Sequence, residues 1–416
     1  MKILLVNQAF VSFDEPGFTR HFEMAKYLRE RGHEMVIVAS DVNYQTGQRI
    51  VEHRGFVAEQ EIEGVRVLRA FMLPSLHRNY FWRIVSFVGF MFSAVWASLK
   101  VKDADLVVGT SPPIFQAFAA WMAAFLLRKP FVFEVRDLWP QFAIDMQVIK
   151  NPVVIYLAHA VEKFLYSRAA HILVNSPAYK PYIMARGVPS DKITFISYGT
   201  DVSMFTPEVD GSQVRREFGL EDKFVVLYAG AMGQANDIYT ILRAAERLRD
   251  EARIRFVLFG DGKEGANLRA EASRLGLDNV IFAGAAPKTK MPAVVAAADV
   301  CIAILQDIPG FRMTYPNKVF DHMAAGRATV LVIDGVIRDV IEASGGGVFV
   351  PPADDERLAQ IIRELAHDPA RVQQMGEQAR AYLVQNFDRR DKLAETLKLF
   401  QRIAKESDSS TFGNQS

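Results

Sequence analysis

The stretch Met313–Val332, "MTYPNKVFDHMAAGRATVLV", contains the local unit from which the predicted fold is built. Pro316 suits the entrance of a helix, and Asn317 is predicted to be its N-cap. Apolar residues then recur at helical spacing, and Gly326 is the residue type expected just after a helix end. The "ATVLVI" that follows is typical of a buried strand. The segment is therefore predicted to be a short helix that leads into a parallel strand.

Lys318 falls in the first turn of this predicted helix. A lysine there opposes the helix dipole, which favours anions at the amino end. Two interpretations stay open for it. The side chain is either solvated, or it faces a ligand phosphate that also meets the free N–H groups of the helix start.

Strand and helix patterns alternate along the whole chain, which predicts an α/β protein with two doubly wound, Rossmann-like halves. The first half contains the strand patterns "KILLVN", "MVIVAS", "DLVVGT", "FVFEV" and "HILVNS". The second half contains "FVVLYAG", "IRFVLFG", "NVIFAG", "DVCIAIL", "TVLVI" and "GVFV". The polar, turn-rich stretch Ser197–Gln213 separates them. We predict domains at residues 1–200 and 201–390, with a carboxyl-terminal helix and polar tail at 391–416.

Composition excludes several classes of protein. The net charge of +1 gives no general attraction to nucleic acid, so no nucleic-acid partner is expected. The eight histidines are scattered, which predicts no metal site. The single cysteine, Cys301, lies in an apolar strand pattern and is predicted to be a buried small hydrophobe. The start "MKILLVN" is too strand-like for a signal peptide, so we expect a cytoplasmic protein.

Two apolar runs are unusual for a soluble protein. Ile84–Leu99 carries no charge and is flanked by Arg83 and Lys100, and Ile114–Lys129 is similar. Both runs are short for a membrane span, which needs ~20 residues. They are either core helices of a large α/β domain or a surface that lies on a membrane through aromatic residues and basic flanks. In the membrane interpretation the acyl boundary holds Phe87, Phe90, Phe92 and Trp96, and the residues that meet anionic lipid are Arg78, Arg83, Lys100 and Lys102.

The stretch "GDGKEG" has glycines at 260, 262 and 265, the spacing of a dinucleotide-binding loop. That motif also requires an acidic residue at the end of the next strand, and the next strand ends "IFAGAAP". A nicotinamide cofactor is therefore not expected, and no other cofactor is predicted. A glycine loop that faces a phosphate remains a reasonable interpretation.

Taken together, these motifs resemble glycosyltransferase family 4. The resemblance is carried by "YGTD" at the boundary, "YAG", "GDGKEGANL", "VIFAG", "AAADV" and "FDHMAAG", in this order along the chain. It implies the GT-B fold, in which two doubly wound domains face one another across a cleft, and chemistry that retains the sugar's anomeric configuration. "FEVRDLWPQ" and "PNKVFDHMAAG" are similar to the bacterial surface-polysaccharide branch, which transfers sugars such as fucose or N-acetylfucosamine.

The resemblance also implies which residues meet the nucleotide-sugar donor. At the boundary and in the second half these are Gly199, Gly230, Gly262, Lys263, Gly284, Arg312, Asn317, Lys318 and Asp321. In the first half, Gly17 matches the family's glycine-bearing loop, although an ordinary loop glycine is the alternative.

Two departures from the family pattern change the expected site. The family's Glu-x(7)-Glu signature falls on Met313 and Asp321, so only the second carboxylate remains to accept hydrogen bonds from ribose. The family's Arg and Lys after "YAG" are also missing, because Ala231 and its neighbours carry no cation. Lys318 is the obvious replacement cation for the donor diphosphate, with Arg312 as a second candidate.

The first half contributes "EVRDLWPQ", which follows a strand pattern. Arg136 lies where the family often has an active-site histidine, and Asp137 follows it. Both are candidate catalytic residues, with a structural ion pair as the alternative. Glu134 lies within an apolar run and would need a buried partner.

The expected function is transfer of a hexosyl or N-acetylhexosaminyl group without a metal, and the expected donor nucleotide is UDP. The expected acceptor is a polyprenyl-diphosphate-linked glycan at the inner face of the plasma membrane, in O-antigen, capsule or exopolysaccharide synthesis. A nucleotide-sugar 2-epimerase of the same fold and a non-catalytic nucleotide-sugar-binding protein are the alternatives.

Overall fold

The computed structural model describes residues 1–13, 19–44, 47–51, 55–75 and 80–412 of the 416-residue chain, without the side chains of Tyr80 and residues 408–412. The described chain forms two compact units. One contains the amino-terminal residues up to Ile196 together with the chain from Leu393, and the other contains Ser197–Lys392. Each unit is an α/β fold built on its own sheet.

The first unit has an eight-stranded sheet in the order β3-β4-β2-β1-β5-β6-β7-β8. All its neighbouring strands are parallel except the hairpin of β3 and β4. The strands are β1 (Lys2–Val6), β2 (Glu34–Ser40), β3 (Val57–Ile62), β4 (Val65–Ala70), β5 (Leu106–Ser111), β6 (Phe131–Val135), β7 (His171–Val174) and β8 (Ile193–Phe195). The strand order reverses between β1 and β5, and their carboxyl ends are where doubly wound sheets bind ligands.

The hairpin was not predicted, although its signal was present. Glu63 and Gly64 join the two strands, and both have positive φ angles of 46° and 78°. A two-residue loop of this kind matches the twist of the paired strands.

The helices of the first unit connect its strands. They are α1 (Arg20–Arg29), α2 (Tyr80–Ser98), α3 (Ile114–Leu127), α4 (Gln141–Asp145), α5 (Pro152–Arg168) and α6 (Tyr179–Met184). Helix α2 packs on α3, and α3 packs on α5 through Trp121 and Phe164, whose ring centroids are 4.6 Å apart. These three helices therefore form one continuous layer.

The second unit has a six-stranded, all-parallel sheet in the order β11-β10-β9-β12-β13-β14. Its strands are β9 (Phe224–Ala229), β10 (Ile254–Phe259), β11 (Val280–Gly284), β12 (Val300–Ile304), β13 (Ala328–Val332) and β14 (Gly347–Phe349). The six predicted strand patterns of this half are all confirmed. Here the strand order reverses between β9 and β12.

Helices cover both faces of this sheet over two buried apolar clusters. They are α7 (Ser212–Phe218), α8 (Ile238–Arg247), α9 (Gly265–Leu275), α10 (Met291–Ala296), α11 (Asn317–Ala324), α12 (Val336–Ser344), α13 (Asp355–Ala366) and α14 (Pro369–Phe387). Cys301 is fully buried in β12, and burial raises the pKa of its thiol to about 12, as expected of a small core residue.

The last helix, α15 (Arg389–Phe412), begins in the second unit and continues into the first. Leu393, Phe400 and Ile403 are buried on it. The chain therefore contributes its carboxyl-terminal residues to the core of the amino-terminal unit.

Candidate active site

Lys318 lies in the first turn of α11, as predicted, and its side chain reaches the carboxyl end of β9. Its ammonium nitrogen is 4.3 Å from the centroid of the Tyr228 ring. A Cβ placed on Gly230 would lie 2.5 Å from the same nitrogen, so only glycine leaves room for the lysine there. The helix and strand are thus joined at the edge where the strand order reverses.

The Lys318 ammonium is buried and has no hydrogen-bond partner among the described residues. Burial lowers its pKa to about 8. Its neighbour His322 is also buried, and burial together with Lys318 lowers the pKa of that imidazole to about 3, so it stays neutral. The Tyr228 ring offers the cation only its π face. A buried cation without a counterion is costly, and an anionic ligand would remove the cost.

Asp321 lies one turn further along α11 and holds two partners. Its Oδ2 is 3.1 Å from Lys288 Nζ, and its Oδ1 accepts a hydrogen bond from the Thr200 hydroxyl. The sequence predicted Asp321 but neither partner. Thr200 could have been noticed because it belongs to "YGTD", whereas Lys288 lies in a polar stretch without a motif.

The glycine-rich turn after β10 packs against the turn after β9. A Cβ on Gly262 would lie 2.5 Å from the Met232 carbonyl oxygen, and the Met232 N–H donates to Asp261 at 2.9 Å. Gly284 joins the same edge because its carbonyl accepts the Gly260 N–H at 2.8 Å. The predicted residues Gly230, Gly262 and Gly284 therefore lie on neighbouring strand ends.

The other predicted residues, in and before α11, lie in different environments. Asn317 is the first helical residue rather than the N-cap, which is Pro316, so the predicted cap was wrong. The Asn317 side-chain oxygen is buried and finds no partner among the described residues, because Pro316 already occupies the capping position. Arg312 is half exposed and pairs with Asp307 at 2.8 Å, so its charge is already balanced. Lys263 is exposed.

Gly199 has φ +57° and lies under the chain that enters α15. A Cβ there would be 2.3 Å from the Phe387 carbonyl oxygen, and Arg389 donates to the Gly199 carbonyl at 2.9 Å. Close packing of the backbone therefore accounts for the glycine at position 199. The same contact places the Thr200 hydroxyl next to Asp321. Gly17 lies outside the described residues.

In the first unit, the carboxyl ends of β1 and β6 meet a buried polar cluster. Glu134 is the carboxylate of this cluster, and it binds the Arg20 guanidinium and the His21 Nε2, the latter at 2.7 Å. Asn7 Nδ2 lies 2.9 Å from His21 Nδ1. Burial raises the pKa of Glu134, but His21 and Arg20 more than offset this and hold it well below its usual range. We therefore assign the His21 proton to Nε2, with Asn7 donating to Nδ1.

This cluster supplies the partners that the sequence required for Glu134, although Arg20 and His21 were not predicted. Arg20 and His21 are the first two residues of α1, which begins shortly after a stretch outside the described residues. They lie more than 100 positions from Glu134 in the sequence, so no local pattern links them.

Arg136 and Asp137 follow β6 directly, at the same edge of the sheet. The Arg136 N–H donates to the Ser111 carbonyl at the end of β5, at 3.3 Å. Burial raises the pKa of Asp137, and the nearby Arg136 charge partly offsets the rise. The two residues therefore lie where a ligand of this unit would bind. Among the described residues, no group of three or more His, Cys, Asp or Glu side chains could hold a metal ion.

The layer of α2, α3 and α5 presents an apolar outer surface, here called the apolar face. Its exposed residues are Phe81, Phe92, Trp96, Phe125, Leu126, Val153, Val154, Tyr156 and Leu157. Phe92 and Trp96 are each 61% exposed. Phe87 and Phe90, which the membrane interpretation also expected at the surface, are buried on the sheet side of α2, so that part of the expectation was wrong. By length and composition, α2 is the one described helix that could cross a membrane, and 44% of its apolar window is buried.

Comparison with known families assigns both units. The family model described as "Glycosyl transferase 4-like domain" matches residues 19–199, and the one described as "Glycosyl transferases group 1" matches residues 223–368. Together they span most of the chain, one in each unit.

Individual relatives agree with these matches. The chain is 23% identical to the putative colanic acid biosynthesis glycosyl transferase WcaI of Escherichia coli, over 82% of this chain and 86% of the relative. It is 24% identical to a GDP-mannose-dependent alpha-mannosyltransferase of Mycobacterium tuberculosis, over 89% of each chain. The structure of Anabaena HepE in complex with UDP superposes with a TM-score of 0.71 at 20% identity, over 96% of this chain and 100% of that one. This structural similarity identifies the fold.

Replacing Lys318 by methionine should stabilise the ligand-free protein. The pKa of the ammonium is about 8 in the folded state against an ordinary 10.5, so its charge opposes folding. The free-energy cost of burying the charged ammonium is complete below pH about 8 and disappears as the pH rises towards 10.5. Lys318→Met should raise the free energy of unfolding by about 1–3 kcal/mol near neutral pH, measured by urea denaturation. Lys223→Met, which changes a lysine before β9 at the opposite edge of the sheet, is the control. A Lys318→Met protein that is less stable than wild type would assign the lysine a structural role.

Glu134→Gln should destabilise the protein strongly. It leaves Arg20 buried beside a neutral group, and breaking a buried pair in this way costs about 3–5 kcal/mol. The contribution of the ionised carboxylate is present above pH about 4.5 and is lost as the pH falls through its depressed pKa, so the two proteins should converge in acid.

The matched control for this variant is Glu59→Gln. Glu59 pairs with Arg66 at 2.6 Å on the surface of the same unit, and the loss should be at most about 1 kcal/mol. Equal losses in the two variants would contradict the assignment of Glu134 as a buried, ionised centre.

Proposed function

We propose that this chain, a glycosyltransferase of the GT-B fold whose two units match the glycosyl transferase 4-like and group 1 families, transfers a sugar from a nucleotide-sugar donor in glycan biosynthesis with retention of configuration. The proposed donor is a UDP-sugar that carries a hexosyl or N-acetylhexosaminyl group. The proposed acceptor is a hydroxyl of a glycan linked to polyprenyl diphosphate.

The proposed reaction exchanges one bond for another at the anomeric carbon. The bond between C1 and the diphosphate oxygen breaks, and the bond between C1 and the acceptor oxygen forms on the same face of the sugar. The acceptor's hydroxyl proton passes to an oxygen of the leaving diphosphate, and UDP departs. The transition state resembles an oxocarbenium ion, and negative charge grows on the diphosphate. The main contribution of the protein is to position the reactants and to stabilise that charge.

The buried, unpaired ammonium of Lys318 is the observation that carries the donor site. It lies at the edge where the strand order reverses, beside Gly230 and at the start of α11. Helix N–H groups and a cation together favour a diphosphate. A fixed ammonium also removes the need for a metal ion at the leaving group, so we propose metal-independent transfer. Asp321 then accepts hydrogen bonds from ribose, in competition with Thr200 and Lys288.

The nucleotide is proposed as UDP, supported by the binding of UDP to the structurally similar HepE. The relative that uses GDP-mannose makes GDP the competing nucleotide. Calorimetric titration of the purified protein with UDP and with GDP separates them, and tighter binding of GDP would overturn the choice.

The acceptor proposal is supported by the apolar face. Described residues 80–102, 112–130 and 146–168 contain basic residues that include Arg83, Lys100 and Arg128, and their single acidic residue, Glu162, is buried. Aromatic side chains with a basic surround suit an anionic membrane surface. Because one side of α2 belongs to the protein core, we propose that the face lies on the membrane rather than crossing it. The protein would then work at the cytoplasmic face of the inner membrane.

The similarity to a colanic acid biosynthesis enzyme supports a role in surface-polysaccharide assembly. Fucose or N-acetylfucosamine is the proposed sugar, on the resemblance of "FEVRDLWPQ" and "PNKVFDHMAAG" to that branch. A panel of nucleotide sugars, assayed with and without a polyprenyl-diphosphate acceptor, tests this directly. Acceptor-dependent transfer supports the proposal. Conversion of the donor without acceptor indicates the 2-epimerase, and binding without turnover indicates a non-catalytic protein.

Lys318→Met should reduce turnover more than it weakens ground-state UDP binding, because charge on the leaving group grows in the transition state. The ammonium loses its proton above pH about 8 in the free protein, so wild-type affinity for UDP should fall as the pH rises beyond that value, and the mutant should not show this fall. Steady-state kinetics and calorimetry across this range provide the measurement, with Lys223→Met as control. Wild-type kinetics in Lys318→Met would indicate that the lysine does not meet the donor.

Asp321→Ala should weaken UDP binding by about 1.5–3 kcal/mol, the scale of hydrogen bonds to a charged group. Calorimetry on the folded variant measures this. Asp250→Ala, which removes an exposed carboxylate at the end of the α8 region, should leave the affinity at the wild-type value. Unchanged affinity in Asp321→Ala would remove this residue from the ribose site.

The protein should float with vesicles that contain anionic lipid, and Phe92→Asn should reduce the floating fraction because it removes a large exposed apolar group. Arg83→Glu should weaken the dependence on anionic lipid, with each basic residue contributing about 1 kcal/mol near the surface. Arg78, the other basic residue proposed before α2, lies outside the described residues.

Phe56→Asn is the control for this experiment, because Phe56 is 66% exposed in the first unit but is not part of the apolar face. A wild-type protein that stays in the soluble fraction with anionic vesicles would contradict membrane binding.

A further inference from the structure

An apolar cavity of about 340 Å³ lies within the layer of α2, α3 and α5. All nine residues that line it are apolar or aromatic, and they include Met91, Phe115, Phe118, Trp139 and Ala158. Such a wall gives water no hydrogen-bond partners, so the cavity favours an apolar occupant. An apolar cavity of roughly 150 Å³ accommodates a benzene ring, and this one therefore has room for on the order of ten carbon atoms.

The cavity opens on the apolar face. Val154 and Leu157 line it and are also 41% and 57% exposed at the surface. A hydrocarbon chain can thus pass from the apolar face into the cavity without crossing a polar region.

The other side of the cavity lies near the candidate catalytic residues. Trp139 follows Arg136 and Asp137 by two or three positions, and the Trp139 N–H donates to the Asp137 carbonyl at 2.9 Å. Ile114, at the start of α3, follows the last residue of β5 by three positions. The cavity therefore lies at the sheet edge where a ligand of this unit binds.

The exposed charges on α5 and just before it fit an anionic amphiphile. Lys150 precedes α5, and Lys163 and Arg168 are exposed along it, whereas Glu162 of the same helix is buried and paired with Arg186. A lipid with a phosphate head and an apolar chain matches this combination of basic surface and apolar interior.

We infer that the cavity binds the first part of the hydrocarbon chain of the lipid-linked acceptor, next to its diphosphate. This inference rests on the proposed transfer to a lipid-linked glycan and adds a chain-binding site to it. The chain would anchor the acceptor beside Arg136 and Asp137, so the enzyme would select acceptors by their lipid as well as by their sugar.

The test uses the full chain and farnesyl phosphate as the probe, at concentrations where it does not aggregate. Wild-type protein should bind it in equilibrium dialysis, and inorganic phosphate in excess should displace little of it. Ala158→Leu fills the cavity and should weaken binding by at least about tenfold, because apolar area in the complex is lost. Ala160→Leu makes the same change at an exposed position of the same helix and should bind as wild type.

A second pair of variants guards against misfolding of Ala158→Leu. Leu157→Gln places a polar group on the exposed edge of the cavity and should also weaken binding, whereas Met184→Gln, at an exposed apolar position of α6 outside the apolar face, should not. Thermal midpoints measured on all four variants identify any loss of fold. Equal binding in wild type, Ala158→Leu and Leu157→Gln would overturn the inference, and so would complete displacement by inorganic phosphate.

Two further measurements separate the remaining explanations. If Ala158→Leu reduces binding to phospholipid vesicles by the same factor as binding to farnesyl phosphate, the cavity holds an acyl chain of the bulk membrane and the acceptor assignment is overturned. UDP is titrated in the same samples. Wild-type protein that binds UDP but not farnesyl phosphate overturns the chain site alone, whereas wild-type protein that binds farnesyl phosphate but not UDP overturns the proposed donor chemistry and leaves the chain site in place.

Discussion

In a parallel sheet every strand ends at the same edge, and in the second unit the strand order reverses there between β9 and β12. This constraint brings Gly230, the Lys318 ammonium and the start of α11 together at one edge. Gly230 directly follows β9 and has no side chain, so the Lys318 side chain can lie over the strand end, and α11 begins at Asn317, next to this lysine. Among the described residues the ammonium has no hydrogen-bond partner, which is costly in the ligand-free protein and would favour an anionic ligand.

The first unit balances charge in the opposite way. Its buried carboxylate, Glu134, is paired with Arg20 and His21, so this cluster holds the carboxyl ends of β1 and β6 in place without a ligand. What this unit leaves without a partner is apolar surface. Large side chains on α2, α3 and α5 remain in contact with solvent, and a cavity between the helices has no polar group in its wall. One unit thus lacks a counterion, and the other lacks an apolar partner.

The candidate site could be predicted from sequence only where a residue belongs to a local motif. Lys318 and Asp321 were predicted from the residues that mark the helix start and end and from the family pattern. Gly230 and Gly262 were predicted from the turns that follow strands. Lys288, Arg20 and His21 could not be predicted, because their partners are distant in the sequence and no local pattern brings them together. Asn317 shows the limit of local sequence rules, since Pro316 occupies the capping position predicted for Asn317.

The alternation of strands and helices, the all-parallel second sheet and the lysine at a helix start can all be predicted from local sequence patterns. They depend on hydrophobic periodicity and turn residues, which act over a few positions. Three other features depend on long-range packing: the lysine is buried without a hydrogen-bond partner among the described residues, Phe87 and Phe90 belong to the core while Phe92 and Trp96 face outward, and the carboxyl-terminal helix completes the first unit. Burial and pairing depend on which distant segments pack together, and the local pattern of a single sequence does not contain that information.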